Sequence, residues 1–199
     1  SNSSTSDSMY NNRVRAMRNV VQEYKSNCNI VLDFYDSNKI ATWVRGYPNM
    51  ILWVRDEIGE PVNGWRGYDK WSDIQKKNNT KFFSDEEKRF YDYSKGEEFT
   101  VLEGIQILRE RLGHKGNIVR LTGLSGVGKT RLLETIFDDS VGSESLNKDL
   151  VVYADMADDV EPIPQQMLSY LIGEEKTYYL VIDNCGIELH KSLLKILRQ

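Results

Sequence analysis

Cysteine is scarce in this chain. Cys28 and Cys185 are its two thiols in 199 residues, too few for a disulfide framework, and neither has a partner at the short spacing of a metal site. Free thiols are the expectation. Long apolar runs are missing too: nothing approaches the roughly 18 apolar residues of a membrane span. The Ser-, Asn- and Thr-rich opening, Ser1 to Ser8, has no secretory apolar stretch and reads as linker. A cytoplasmic location without membrane contact follows as an expectation. Nor is there an excess of positive charge. The net charge is −4, made up of +2 over residues 1–120 and −6 over residues 121–199. That distribution does not imply a general nucleic-acid surface, and leaves nucleic-acid binding open. With 40% apolar and 28% charged residues, the balance is that of a globular chain holding one large or two small domains.

Glycine is concentrated where it matters. The run Gly123-Leu124-Ser125-Gly126-Val127-Gly128-Lys129-Thr130 fits the phosphate-binding pattern G-x-x-x-x-G-K-[ST] at every fixed position. Its three glycines let the backbone turn N–H groups toward an anion and come close to it, and the following helix adds its positive end. Residues Gly123, Ser125, Gly126, Val127, Gly128, Lys129, Thr130 and Arg131 are the expected nucleotide contacts. Lys129 is expected to reach the β- and γ-phosphates, and Thr130 to ligate Mg²⁺.

The flanking pattern sets this loop in an α/β fold. A helix over Val101 to Leu112, closed by Gly113, precedes an expected strand at Asn117 to Thr122. After the loop, Leu132, Leu133, Ile136 and Phe137 mark the buried face of a helix. Leu150 to Ala154 reads as a second strand and Gln165 to Ile172 as a helix. Tyr178 to Asn184 then gives an apolar strand ending in Asp183, the form that sets a carboxylate beside Mg²⁺. Leu189, Leu193 and Leu197 form one stripe of a last helix.

The first half is less regular. Val14, Met17, Val20, Val21 and Tyr24 fall at helical spacing, and Ile30 to Tyr35 reads as a strand. Asp36 or Ser37 caps a helix over Ile40 to Arg45, and Pro48 opens another running to about Ile58. Residues 59–95 are polar and turn-rich, with a charged helix expected around Asp85 to Tyr93. The expected division is therefore 1–58, a small α/β and helical segment; 59–95, a packed connector; and 96–199, a partial phosphate-loop NTPase core with a parallel sheet.

The stretches RLTGLSGVGKTRLLETIFDD, VVYADM and LVIDNCGIELHKSL resemble bacterial ATPases of the signal-transduction class with numerous domains, including antiviral sensors of phage infection. The upstream stretch DFYDSNKIATWVRGYPNMILWVRDEIGEPVNGWRGYDKWS resembles the close of an N-terminal effector domain, often restriction-endonuclease-like. The resemblance implies an ATP–Mg²⁺ switch inside a longer or self-associating protein, with Lys129 and Asp183 as catalytic residues. In the family an acidic residue often follows the metal-side Asp. Here it is Asn184, and an amide is no general base, so slow turnover or none is expected. The resemblance also implies a further strand between the phosphate-loop and Asp183 strands, and the chain reads as a fragment. A small phosphotransferase, or a nuclease effector with its active site outside this chain, are the alternatives.

Other constellations read as structural. Glu23-Tyr24-Lys25 and Glu86-Glu87-Lys88 match a short nuclease triplet but sit in charged, helical surroundings. Trp43, Trp53, Trp65 and Trp71 are expected to pack rather than stack on bases. His190 and His114 read as helix and loop residues, and Asp158, Asp159 and Glu161 as a solvated stretch. Asp155 is set apart because it ends a strand on the side where nucleotides bind. Phe99 and Val101 are positional candidates for an adenine pocket.

Overall fold

The computed structural model describes residues 7–23, 32–33, 35–76, 87–174 and 176–198. The chain forms two compact units, Ser1–Tyr47 and Pro48–Gln199, and its fold class is mixed α/β with a small mixed sheet.

In the first unit, α1 spans Asp7–Glu23 and α2 spans Ser37–Val44. No residue of either helix is buried. The expected cap is present: the Asp36 carboxylate accepts from the Lys39 amide at 2.8 Å, satisfying one free N–H of the first turn. Lys39 also pairs with Asp33 at 2.5 Å. Half of the strand expected at Ile30 to Tyr35, together with Tyr24, Lys25 and Cys28, lies outside the described residues; residues 32, 33 and 35 are not in a strand.

The second unit opens with α3, Pro48–Glu57, started by proline at its first position as the sequence predicts. Then come β1 (Trp65–Arg66) and α4 (Tyr68–Lys76). A hairpin follows, made of β2 (Arg89–Asp92) and β3 (Glu97–Thr100). This corrects the helix expected around Asp85 to Tyr93. Asp92 accepts from the amide and hydroxyl of Ser94, which closes the turn, and Phe90 sits opposite Phe99; residues 85 and 86 lie outside the described residues.

Helix α5 (Val101–Gly113) begins with a reciprocal box between Thr100 and Glu103. The hairpin lies along it. A Cβ at Gly104 would come within 2.6 Å of the Phe90 ring, and Asp92 pairs with Arg111 in the last turn. The helix that follows the glycine-rich loop, α6, spans Lys129–Thr135. Beyond it lie β4 (Val151–Asp155), α7 (Pro164–Gly173), β5 (Tyr179–Asp183) and α8 (Ile187–Leu197). No helix among the described residues is long and apolar enough to cross a membrane.

The sheet order is β1-β4-β5, with β1 antiparallel to β4 and β4 parallel to β5. This is not the all-parallel sheet expected, because β1, from the turn-rich stretch, supplies an antiparallel edge. The strand expected at Asn117 to Thr122 is also absent. Val119 and Leu121 pack against the core while Ile118 and Arg120 are exposed, so the alternation reports side-chain burial without a hydrogen-bonded ladder. Strand β4 is buried on both faces. Val151 and Tyr153 join Trp71, Ile105, Leu132, Ile136 and Phe137 on one side. Val152 and Ala154 join Trp65, Met167 and Leu171 on the other. Trp71 stacks on Tyr153 at 4.4 Å. Packing is thus the role of Trp65 and Trp71, whereas Trp43 and Trp53, for which packing was equally expected, are 47% and 51% exposed.

Candidate functional site

The 123–130 loop owes its form to glycine. Gly126 and Gly128 have φ of +79° and +94°, a left-handed region in which a Cβ is strained. Gly128 sits at the N-cap of α6, and its carbonyl accepts the first helical bond, from the Leu132 amide at 2.9 Å. Among the described residues no protein oxygen accepts from the amides of residues 124–128. All five of these residues are exposed. Lys129 folds back across the loop and donates to the carbonyls of Gly123 (3.1 Å) and Leu124 (2.7 Å).

Helix α6 then delivers Thr130 to the end of β5. The Thr130 hydroxyl donates to Asp183 Oδ2 at 2.5 Å, across 53 residues of sequence. Both groups are half-buried. A hydroxyl and a carboxylate are hard oxygen donors, and Mg²⁺ is commonly held by one or two such protein oxygens together with phosphate. The donor set therefore fits that ion. No group of three or more His, Cys, Asp or Glu side chains suited to a metal occurs among the described residues.

The ends of the two parallel strands are stitched together. Asp155 and Asp183 are register partners, and the Met156 amide donates to the Asp183 carbonyl at 3.1 Å. Asn184 follows with φ of +51°, a conformation asparagine tolerates better than most residues. Its backbone N–H donates to Asp183 Oδ1 at 2.9 Å, and its side-chain Nδ2 donates to Asp155 Oδ1 at 2.7 Å. The Ala157 amide donates to the same Asp155 oxygen at 2.9 Å. Below them, burial first, then the Asp183 and Asp155 carboxylates, raise the Tyr153 phenol well above its ordinary range. Cys185 lies beside this strand end, its thiol pushed up by burial and partly offset by Arg120.

The remaining candidates sit elsewhere or are already engaged. Arg131 pairs with Glu134, which is 2% exposed. Asp158 pairs with Arg66 at 2.6 Å, while Asp159 and Glu161 are exposed. Phe99 lies in β3 and Val101 opens α5, packed against the core. His114 follows α5, and His190 is half-buried on α8. Glu23 ends α1, and Glu87 and Lys88 are exposed before β2; Glu86 lies outside the described residues.

Two features escaped the sequence reading. One is the Asn184–Asp155 bond, whose only sequence signal is an Asn directly after an apolar strand. The other is Arg109, 2% exposed, which donates to the carbonyls of Thr135, Ile136, Asp138, Val141 and Ser143 at 2.7–2.9 Å. It falls one turn after Ile105 on the buried face of α5, which is a legible signal. Comparison with protein-family models, curated proteins and solved structures finds no match for this chain.

Proposed function

We propose that residues 123–130 bind the phosphates of ATP with Mg²⁺, and that the chain is the nucleotide-binding module of a bacterial antiviral signalling ATPase of the numerous-domains class. The observation that carries the reading is the Thr130–Asp183 contact. A chance glycine turn has no reason to meet, 53 residues on, the carboxylate that its motif requires. The free amides of 124–128 supply donors for phosphate oxygens. Lys129 exchanges its two loop carbonyls for the β- and γ-phosphates, and Thr130 and Asp183 hold the metal, which neutralises phosphate charge when bound.

On this reading the fold is a phosphate-loop NTPase core in which β5 carries the metal-side Asp. The edge of β5 opposite β4 pairs with no strand among the described residues. A free edge is a pairing surface, which supports self-association or completion by further chain in the working protein. The module acts as a cytoplasmic switch, with bound γ-phosphate favouring one of two states.

Calorimetric titration with ATP and Mg²⁺ tests the reading. Lys129→Ala removes charge-assisted contacts worth roughly 1.5 to 3 kcal/mol, about tenfold to a hundredfold in affinity. Asp183→Asn keeps the fold and weakens the dependence on Mg²⁺. Equal affinity in the Lys129 variant, or an unchanged Mg²⁺ requirement in the Asp183 variant, would sink the proposal.

A further inference from the structure

We infer that Asn184, held by Asp155, orients the water that attacks the γ-phosphate, so that turnover rests on a fixed amide instead of a carboxylate base. The inference builds on nucleotide binding at the 123–130 loop. An ionised carboxylate only accepts hydrogen bonds, so the group that Asn184 turns toward Asp155 Oδ1 at 2.7 Å must be its amide nitrogen. The other end of the planar amide, Oδ1, accepts from no donor among the described residues. The backbone is fixed as well, by φ of +51° and by the bond from the Asn184 N–H to Asp183 Oδ1. Asp183 is itself held against the phosphate loop through Thr130. An acceptor oxygen, fixed in rotamer and backbone, therefore stands one residue from the metal-side carboxylate.

Phosphoryl transfer needs such an acceptor more than it needs a strong base, because its transition state is loose and much of catalysis is positioning. The water oxygen bonds to Pγ as the bond from Pγ to the β–γ bridging oxygen breaks. ADP leaves with that electron pair, and one water proton passes to a γ-phosphate oxygen. Asn184 accepts the water's other hydrogen throughout. Asp155 acts only through Asn184 and is a positioning residue.

The test is single-turnover phosphate release on the full chain, with nucleotide affinity measured alongside. Asn184→Ala and Asp155→Ala should each slow release on the order of 10²-fold, the scale of a misplaced group, with ATP affinity within about twofold of the parent. The double variant should be no slower than the slower single one, because the two residues act as a unit. Asp155→Asn, which keeps an oxygen for the amide, should recover most of the rate. Independently of turnover, the Asn184 side-chain NH₂ signals in a ¹⁵N spectrum should move to solvent-exposed positions in Asp155→Ala alone. Additive losses, unmoved signals, or a parent chain that binds ATP without measurable release would overturn the inference and leave nucleotide binding standing. A parent chain that binds no ATP removes both.

Discussion

The two ends of helix α6 are held in opposite ways. At its C-terminal end the carbonyls of Thr135, Ile136, Asp138, Val141 and Ser143 converge on the single guanidinium of Arg109. That end is buried: Thr135, Ile136 and Phe137 are 1%, 0% and 3% exposed. At its N-terminal end, residues 124–128 are exposed, and their amides bond to no other described part of the protein. A helix leaves polar groups unsatisfied at both ends, so the asymmetry is informative. The chain satisfies one end from within and leaves the other open, which is what the proposed nucleotide site requires. Anchoring the far end also fixes where Thr130 meets Asp183.

The largest expected effect comes from removing the anchor. Arg109→Met keeps an apolar stem but leaves five carbonyls without their donor, and hydrogen bonds to a charged group are each worth about 1.5 to 3 kcal/mol. Because such losses are not additive, a destabilisation of about 3 to 4 kcal/mol is expected, read from the denaturant midpoint. A shift under about 1 kcal/mol would show that the buried end does not depend on Arg109.

Changes at the open end should act on binding and spare the fold. Gly128→Ala places a Cβ at φ of +94° with no neighbour within 4 Å, so its cost is conformational, about 1 to 2 kcal/mol. The exposed loop relaxes away from that φ in the free chain and is drawn back only by nucleotide, so the cost falls on binding: affinity should fall about tenfold while the denaturant midpoint barely moves. A large fall in stability with unchanged affinity would reverse the roles assigned to the two ends.

The smallest effect concerns the hairpin on α5. Hydrogen bonds from Ser94, with the Arg111 guanidinium, lower the Asp92 pKa to about 2. Unfolded Asp titrates near 3.9, so this contribution is full above about pH 4 and is lost as pH falls through about 2. The Ser94 amide resonance should titrate with that low midpoint. A midpoint near 4 would show that Asp92 holds neither Ser94 nor Arg111.

Much of the second unit was legible because its signals are local. The helix expected over Gln165 to Ile172 and the apolar run closing on Asp183 place α7 and β5 within a residue or two. The form of the 123–130 loop was legible for the same reason, since its glycines act on their own backbone. Pairing was harder to read. Arg89–Asp92 lies in a charged stretch that reads as helix until Glu97–Thr100 is set against it. Val119 and Leu121 alternate as a strand would, but alternation names no partner. Trp43 and Trp53 sit among apolar neighbours in sequence yet are about half exposed, while Trp65 and Trp71, in a polar stretch, fill the core. The Asn184–Asp155 bond depends on the register of two strands, which sequence spacing does not encode.

The most direct test of the account is a backbone amide spectrum of the whole chain titrated with ATP and Mg²⁺. The account predicts saturable shifts and slowed exchange at the amides of residues 124–128, with further shifts at Thr130 and Asp183. Amides around the Arg109 anchor, residues 135–143, should stay in place, and Lys129→Ala should weaken the response about tenfold to a hundredfold. Saturable binding that leaves residues 124–128 unchanged, or that moves residues 135–143 instead, would contradict it.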